Sequence, residues 1–133
     1  MTIYVAGRAK HRLNDVAKIQ ERLKARGHVI TYDWPADDGA IKKPYRENRP
    51  ANVKAQEEML RAAAAADIFI LLDDEGLRGA YVELGAFLKD CLDNPQGRRA
   101  YIVGPDSHER QFIFESPDFV FFKDSIEEVY KEL

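Results

Sequence analysis

At 133 residues, 45% of them hydrophobic, the chain has room for one domain with a real core and not for two. Twenty basic residues against 23 acidic ones leave a net charge of −3, which excludes a general electrostatic pull toward nucleic acid or anionic membrane, so any anion has to be held locally. No apolar stretch approaches the ~20 residues of a membrane span, MTIYVAG has no basic region ahead of a long apolar one, and the one cysteine, Cys91, can form no internal disulfide. A reducing, cytoplasmic setting is therefore expected.

The apolar run Ile3 to Ala6 predicts a short buried strand ending at Gly7. Leu13, Val16, Ile19 and Leu23 then recur at spacings of 3, 3 and 4, the pattern of an amphipathic helix, with Gly27 as its stop after the basic residues Lys24 and Arg26. A second strand is expected over His28 to Asp33. This β-α-β unit implies a parallel pair with a right-handed crossover. Pro35 to Ala51, rich in proline and charge, reads as a long loop of the kind that either forms a lid or is disordered. An alanine-rich helix from about Asn52 to Ala66 leads into a third strand, Asp67 to Leu72. A helix from about Ala80 to Leu92 follows, with Cys91 on its packing face.

Arg99 to Val103 forms the fourth strand, closed by Gly104-Pro105, and Asp106 to Ser116 another loop. An aromatic strand, Phe119 to Phe122, precedes a C-terminal helix opened by Ser125-Ile126-Glu127-Glu128, which matches a capping box. Five strands alternating with helices, in a single domain over 1–133, predict an α/β three-layer sandwich with a mainly parallel flavodoxin-like sheet of order 2-1-3-4-5.

The stretch DIFILLDDEGLRGAYVELGAF, residues 67 to 87, carries the most chemistry: a buried strand ends in acids, turns through Gly76 and Gly79, and delivers Glu83 to the first turn of a helix. Helix-dipole compensation explains such a glutamate at about 0.3–1 kcal/mol. Alternatively, Glu83 faces a ligand as nucleophile or base. In such sheets ligands bind at the C-terminal ends of the strands, which gathers Gly7-Arg8, Asp33-Trp34, Asp73-Asp74 and Gly104-Pro105 around one crevice.

Arg8 and Arg78 are each either a solvated loop charge or an anion ligand. Trp34 either stacks on a planar ring or covers the sheet edge, and Tyr4 and Tyr81 are placed to orient a carboxylate. His11, His28 and His108 have no metal-ligand spacing, so neither a metal nor a cofactor is expected, and no GxSxG elbow supports a serine hydrolase.

IYVAG, GHVITYDW, AADIFILLDDEGLRGAYVELGAF and YIVGPDSHERQFIFESPDFVFF together resemble the nucleoside 2-deoxyribosyltransferase-like family, which includes deoxynucleoside monophosphate N-glycosidases; the likeness covers nearly the whole chain. The resemblance implies that Glu83 attacks the anomeric carbon of a nucleoside or nucleotide, and that the chain forms a homodimer or higher homo-oligomer. Cleaving an N-glycosidic bond builds oxocarbenium charge that a carboxylate stabilises or captures, and the leaving base needs a proton. Asp73, Asp74 or Glu58 is the expected acid.

Two positions depart from the family pattern. Met59 stands where those enzymes carry an aspartate, just after Glu57 and Glu58, and Leu77 stands where the monophosphate hydrolases place a phosphate-holding serine. The alternatives are a non-catalytic nucleotide or nucleotide-sugar sensor, an NAD glycohydrolase, or an interaction protein in which Glu83 merely caps a helix.

Overall fold

The computed structural model describes residues 1–36, 41–105 and 118–133, with the backbone alone for Lys10 and His11. The strands are β1 (Thr2–Ala6), β2 (Val29–Ile30), β3 (Ile68–Leu72), β4 (Arg99–Val103) and β5 (Val120–Lys123); the helices are α1 (Ala9–Ala25), α2 (Arg49–Ala65), α3 (Gly79–Asp93) and α4 (Ile126–Glu132). All four strand pairings are parallel and the order is β2-β1-β3-β4-β5, the flavodoxin-like α/β arrangement expected. No helix among the described residues is long and apolar enough to cross a membrane. The expected loop Asp106 to Ser116, with His108, lies outside the described residues, as do positions 37–40 of the loop after Trp34.

Alternation along each strand divides the core between two faces. Ile3, Val5, Ile68, Ile70, Tyr101 and Val103 pack with Val16, Ile19 and Leu23 of α1 and Val129 and Tyr130 of α4. On the other face Tyr4, Ala6, Phe69, Leu71, Ala100 and Ile102 meet Ala63 of α2 and Leu84, Phe87 and Cys91 of α3. Cys91 is fully buried, as its place in the helical pattern predicts, and burial pushes its thiol pKa up. Both faces are covered, which is why β3 is apolar at every position.

Gly27 adopts φ +88°, and His28 and Gly27 donate their N–H groups to Leu23 and Lys24 at 3.1 and 3.0 Å, so α1 closes in a Schellman turn. The end of α2 is satisfied differently. Arg98, 9% exposed, donates from Nε (3.0 Å) and Nη2 (2.8 Å) to the Ala66 carbonyl and from Nη2 to that of Ala64, pairs with Asp90 of α3, and lies over the Phe87 ring.

Several element boundaries differ from expectation. β2 is two residues long rather than six. Val29 and Thr31 donate to Met1 and Ile3 of β1, and the next bond in that series, to the Val5 carbonyl, is made at 2.8 Å by the Trp34 indole N–H. A side chain completes the ladder, and the backbone is free to leave the sheet. α2 begins at Arg49, three residues early, because Pro50 suits a first turn whose N–H groups have no helical partner. The expected capping box does not form: Ser125 makes no side-chain cap, and Glu128 accepts from the Asp124 N–H at 3.0 Å.

Candidate active site

α3 starts at Gly79, so Glu83 occupies its second turn, not its first, and the first turn holds no acid. Dipole compensation, which decays within one turn, therefore does not account for this glutamate. Its side chain faces a cleft at the C-terminal edge of the sheet with a volume of about 210 Å3. Gly7 and Arg8 at the end of β1, Trp34 after β2, and Gly76, Leu77, Arg78 and Gly79 of the β3-α3 turn line it, with Ile41 and Met59. A contiguous groove of about 300 Å3 between α2 and α3, lined also by Gln56, Leu60 and Val82, opens onto the same Glu83.

Local geometry explains the convergence. A Cβ on Gly7 would stand 3.2 Å from the Cβ of Arg12 and 3.3 Å from Cγ2 of Val16, so glycine lets α1 start close against the end of β1. Gly76 has φ +82°, a backbone shape that disfavours a side chain, and the Arg8 guanidinium lies about 3.5 Å from where its Cβ would be. Arg8 donates to the neighbouring Glu75 carbonyl at 3.3 Å. Asn52, 5% exposed on α2, grips Lys42 through both backbone groups, accepting from its N–H at 2.8 Å and donating to its carbonyl at 2.9 Å. That clamp fixes the loop that carries Ile41 to the cleft.

Burial pushes the Glu83 carboxyl up to about 7, against a smaller downward pull from the Tyr4 hydroxyl. The Tyr4 side chain is fully buried under α3, and its hydroxyl pKa is raised by burial and by Glu83. Among the described residues this hydroxyl finds no partner at full hydrogen-bonding geometry; Glu83 and, more weakly, Tyr32 are the charged or polar groups that act on it.

The expected acids are elsewhere. Asp73, 5% exposed, accepts from the Tyr81 hydroxyl at 3.1 Å and faces a separate groove between α1 and α4. Asp74 pairs with Arg12 of α1 at 3.4 Å. Glu58 is exposed on α2, and it is its neighbour Met59 that turns inward. None of the three lines the cleft, and the Tyr81 hydroxyl donates to Asp73.

Of the other sequence candidates, Gly7, Arg8, Trp34, Gly76, Arg78 and Gly79 line the cleft, and Tyr4 stands behind Glu83. Trp34 is at once core and wall, 5% exposed with its indole nitrogen bonded to β1. Ile41 and Asn52 were not singled out from sequence; the one available signal was a single large aliphatic residue, Ile41, inside a polar, proline-rich loop. Among the described residues no three His, Cys, Asp or Glu side chains gather as metal ligands. No protein-family model matches the chain, and no curated protein matches it. What the cleft can do follows from its own residues.

Proposed function

We propose that the chain cleaves or transfers the N-glycosidic bond of a nucleoside or nucleotide, with Glu83 as nucleophile. The observation that supports this reading best is a half-buried carboxylate in a cleft, poised near neutrality, with a buried tyrosine hydroxyl beside it. A developing oxocarbenium ion is a cation, and an unsolvated carboxylate stabilises it more strongly than a hydrated one. Glu83 bonds to the anomeric carbon as the carbon–nitrogen bond breaks. The bonding pair leaves with the base, which takes a proton from water at the open side of the cleft. Water, or the nitrogen of a second base, then attacks the same carbon, loses its proton to solvent and frees the glutamate.

Only ionised Glu83 attacks. kcat/KM is therefore expected to rise with pH through about 7 and to level off above it. Nucleosides, nucleoside 5′-monophosphates and NAD, assayed for free-base release, test the reading directly. Glu83→Gln should lose at least about a thousandfold in turnover while staying folded. Base release by that variant at the wild-type rate excludes the mechanism, and tight nucleotide binding without any cleavage by the wild type identifies a sensor instead.

A further inference from the structure

The charge of −3 is unevenly spread along the chain. Residues 41–56 hold five cations, Lys42, Lys43, Arg46, Arg49 and Lys54, against one acid, Glu47, and all six are exposed. Elsewhere Arg12, Arg22, Lys24, Arg98 and Lys123 each stand beside a carboxylate. Among the described residues Lys43, Arg46, Arg49 and Lys54 do not. Helix electrostatics does not account for them either, since Arg49 opens α2 at the end where a cation is disfavoured.

These residues shape a depression. Tyr45, Arg46 and Arg49 line a groove of about 550 Å3 together with Val53 and Gln56. The Tyr45 ring is 58% exposed, and the Lys43 ammonium lies 5.5 Å from its centre. A ring that faces water, set among cations that face no carboxylate, supplies both parts of a single-strand binding surface: bases stack on the ring and phosphates meet the cations. An acidic peptide meets the same cations but gives no reason for the ring, and a duplex keeps its bases stacked on one another, away from it.

The groove is continuous with the cleft. Ile41 and Gln56 line both it and the groove between α2 and α3, and Ile41 lines the cleft as well. Arg49, Val53, Gln56, Met59 and Leu60 recur at helical spacing, so one face of α2 runs from the arginines to the cleft that holds Glu83. The rise from Arg49 to Met59 is about 15 Å. A mononucleotide with its sugar against Glu83 does not reach the arginines with its own phosphate, whereas a strand of about four stacked nucleotides, at ~3.4 Å each, does.

We propose that single-stranded nucleic acid lies along this trough, its phosphates on Lys43, Arg46 and Arg49 and a base on the Tyr45 ring, so that one of its nucleotides reaches Glu83. The delivery to Glu83 rests on the glycosidic reading; the binding surface does not. With the strand as substrate, the carbon–nitrogen bond of that nucleotide breaks, and water supplies both the hydroxyl left on the anomeric carbon and the hydrogen carried off by the base.

Fluorescence anisotropy of a labelled oligothymidylate of about twelve nucleotides, titrated with the full chain, reads the surface. Affinity should fall with salt, log K against log salt having a slope near −2, about 0.7 for each of the three cations. Arg46→Ala and Arg49→Ala, both at exposed positions, should each bring that slope about 0.7 closer to zero. Tyr45→Ala should weaken binding at least about fivefold, and Tyr45→Phe should leave it unchanged. No binding at low salt, undiminished binding by the arginine variants, or tighter binding of a duplex or of polyglutamate of the same length overturns the surface. Base release from a strand of mixed sequence, compared with release from the corresponding mononucleotides, reads the delivery, and the strand should react faster. Strand binding as described with no base released from any substrate overturns the glycosidic reading and leaves the surface standing. Release from mononucleotides with no strand binding does the reverse, and strand binding with release from mononucleotides alone overturns the delivery.

Discussion

Glu83 is held in a state that water would not choose for it. Its carboxyl, lifted to about 7 by burial, is protonated more readily in the folded chain than in the unfolded one. Between about pH 4.5 and 7 the native state therefore binds the extra proton, and stability from this group is fully present below that window and lost as pH rises through it. Glu83→Gln, which has no proton to lose, should be more stable than the wild type by roughly 3 kcal/mol at pH 8 and nearly equal to it at pH 4.5. Urea unfolding at the two pH values checks this, and equal stability at pH 8 would show that the carboxylate is better solvated than its burial indicates. The position of Glu83 at a cleft was legible in the sequence, from a glutamate following a strand and a glycine turn. Its partners were not, because consecutive residues at a strand end go to different neighbours: Asp73 to Tyr81 of α3 and Asp74 to Arg12 of α1.

The elements around the cleft are joined by side chains that do the work of backbone. Asn52 meets the two main-chain groups of Lys42 as a neighbouring strand would, and the Trp34 indole supplies the bond that a longer β2 would have made. Asn52→Ala removes both bonds from a buried amide and should cost about 2 kcal/mol in urea unfolding. It should also expose the loop around Lys42 and Lys43 to trypsin, and resistance equal to that of the wild type would mean that other contacts hold the loop. Periodicity located α3, β3 and β4 to within one residue of their ends, because each is fixed by an apolar pattern of its own, whereas α1 starts at Ala9, four residues before the first residue of its apolar pattern, Leu13. β2 and the start of α2 were misjudged where single side chains, Trp34 and Pro50, decide the geometry. The Ser125 capping box failed for a related reason: the motif names two residues, but Glu128 turns instead to the Asp124 N–H.

Over the whole molecule, stability is graded outward from β3. That strand is at most 7% exposed at every position and is paired on both sides, whereas β2 is a two-residue edge whose Val29 is 60% exposed. Hydrogen exchange should be slowest, by orders of magnitude, at the amides of Ile68 to Leu72 and fastest among the strands at Val29 and Ile30. Comparable protection of β2 would point to a contact covering that edge. The strand order was readable because alternating strands and helices, linked by right-handed crossovers, leave few parallel topologies. The cleft could be placed on the C-terminal rim by the same reasoning, but its Ile41 wall could not, since a loop clamped by a buried asparagine leaves no periodic trace. The sealed position of Cys91 has a practical consequence for following ligands into that cleft. It is the chain's one cysteine and lies on the buried face of α3, out of reach of maleimide reagents. A thiol introduced at Val82, 62% exposed on the groove wall, would thus take up a fluorophore alone, giving an optical reporter beside Glu83 with no background labelling to remove.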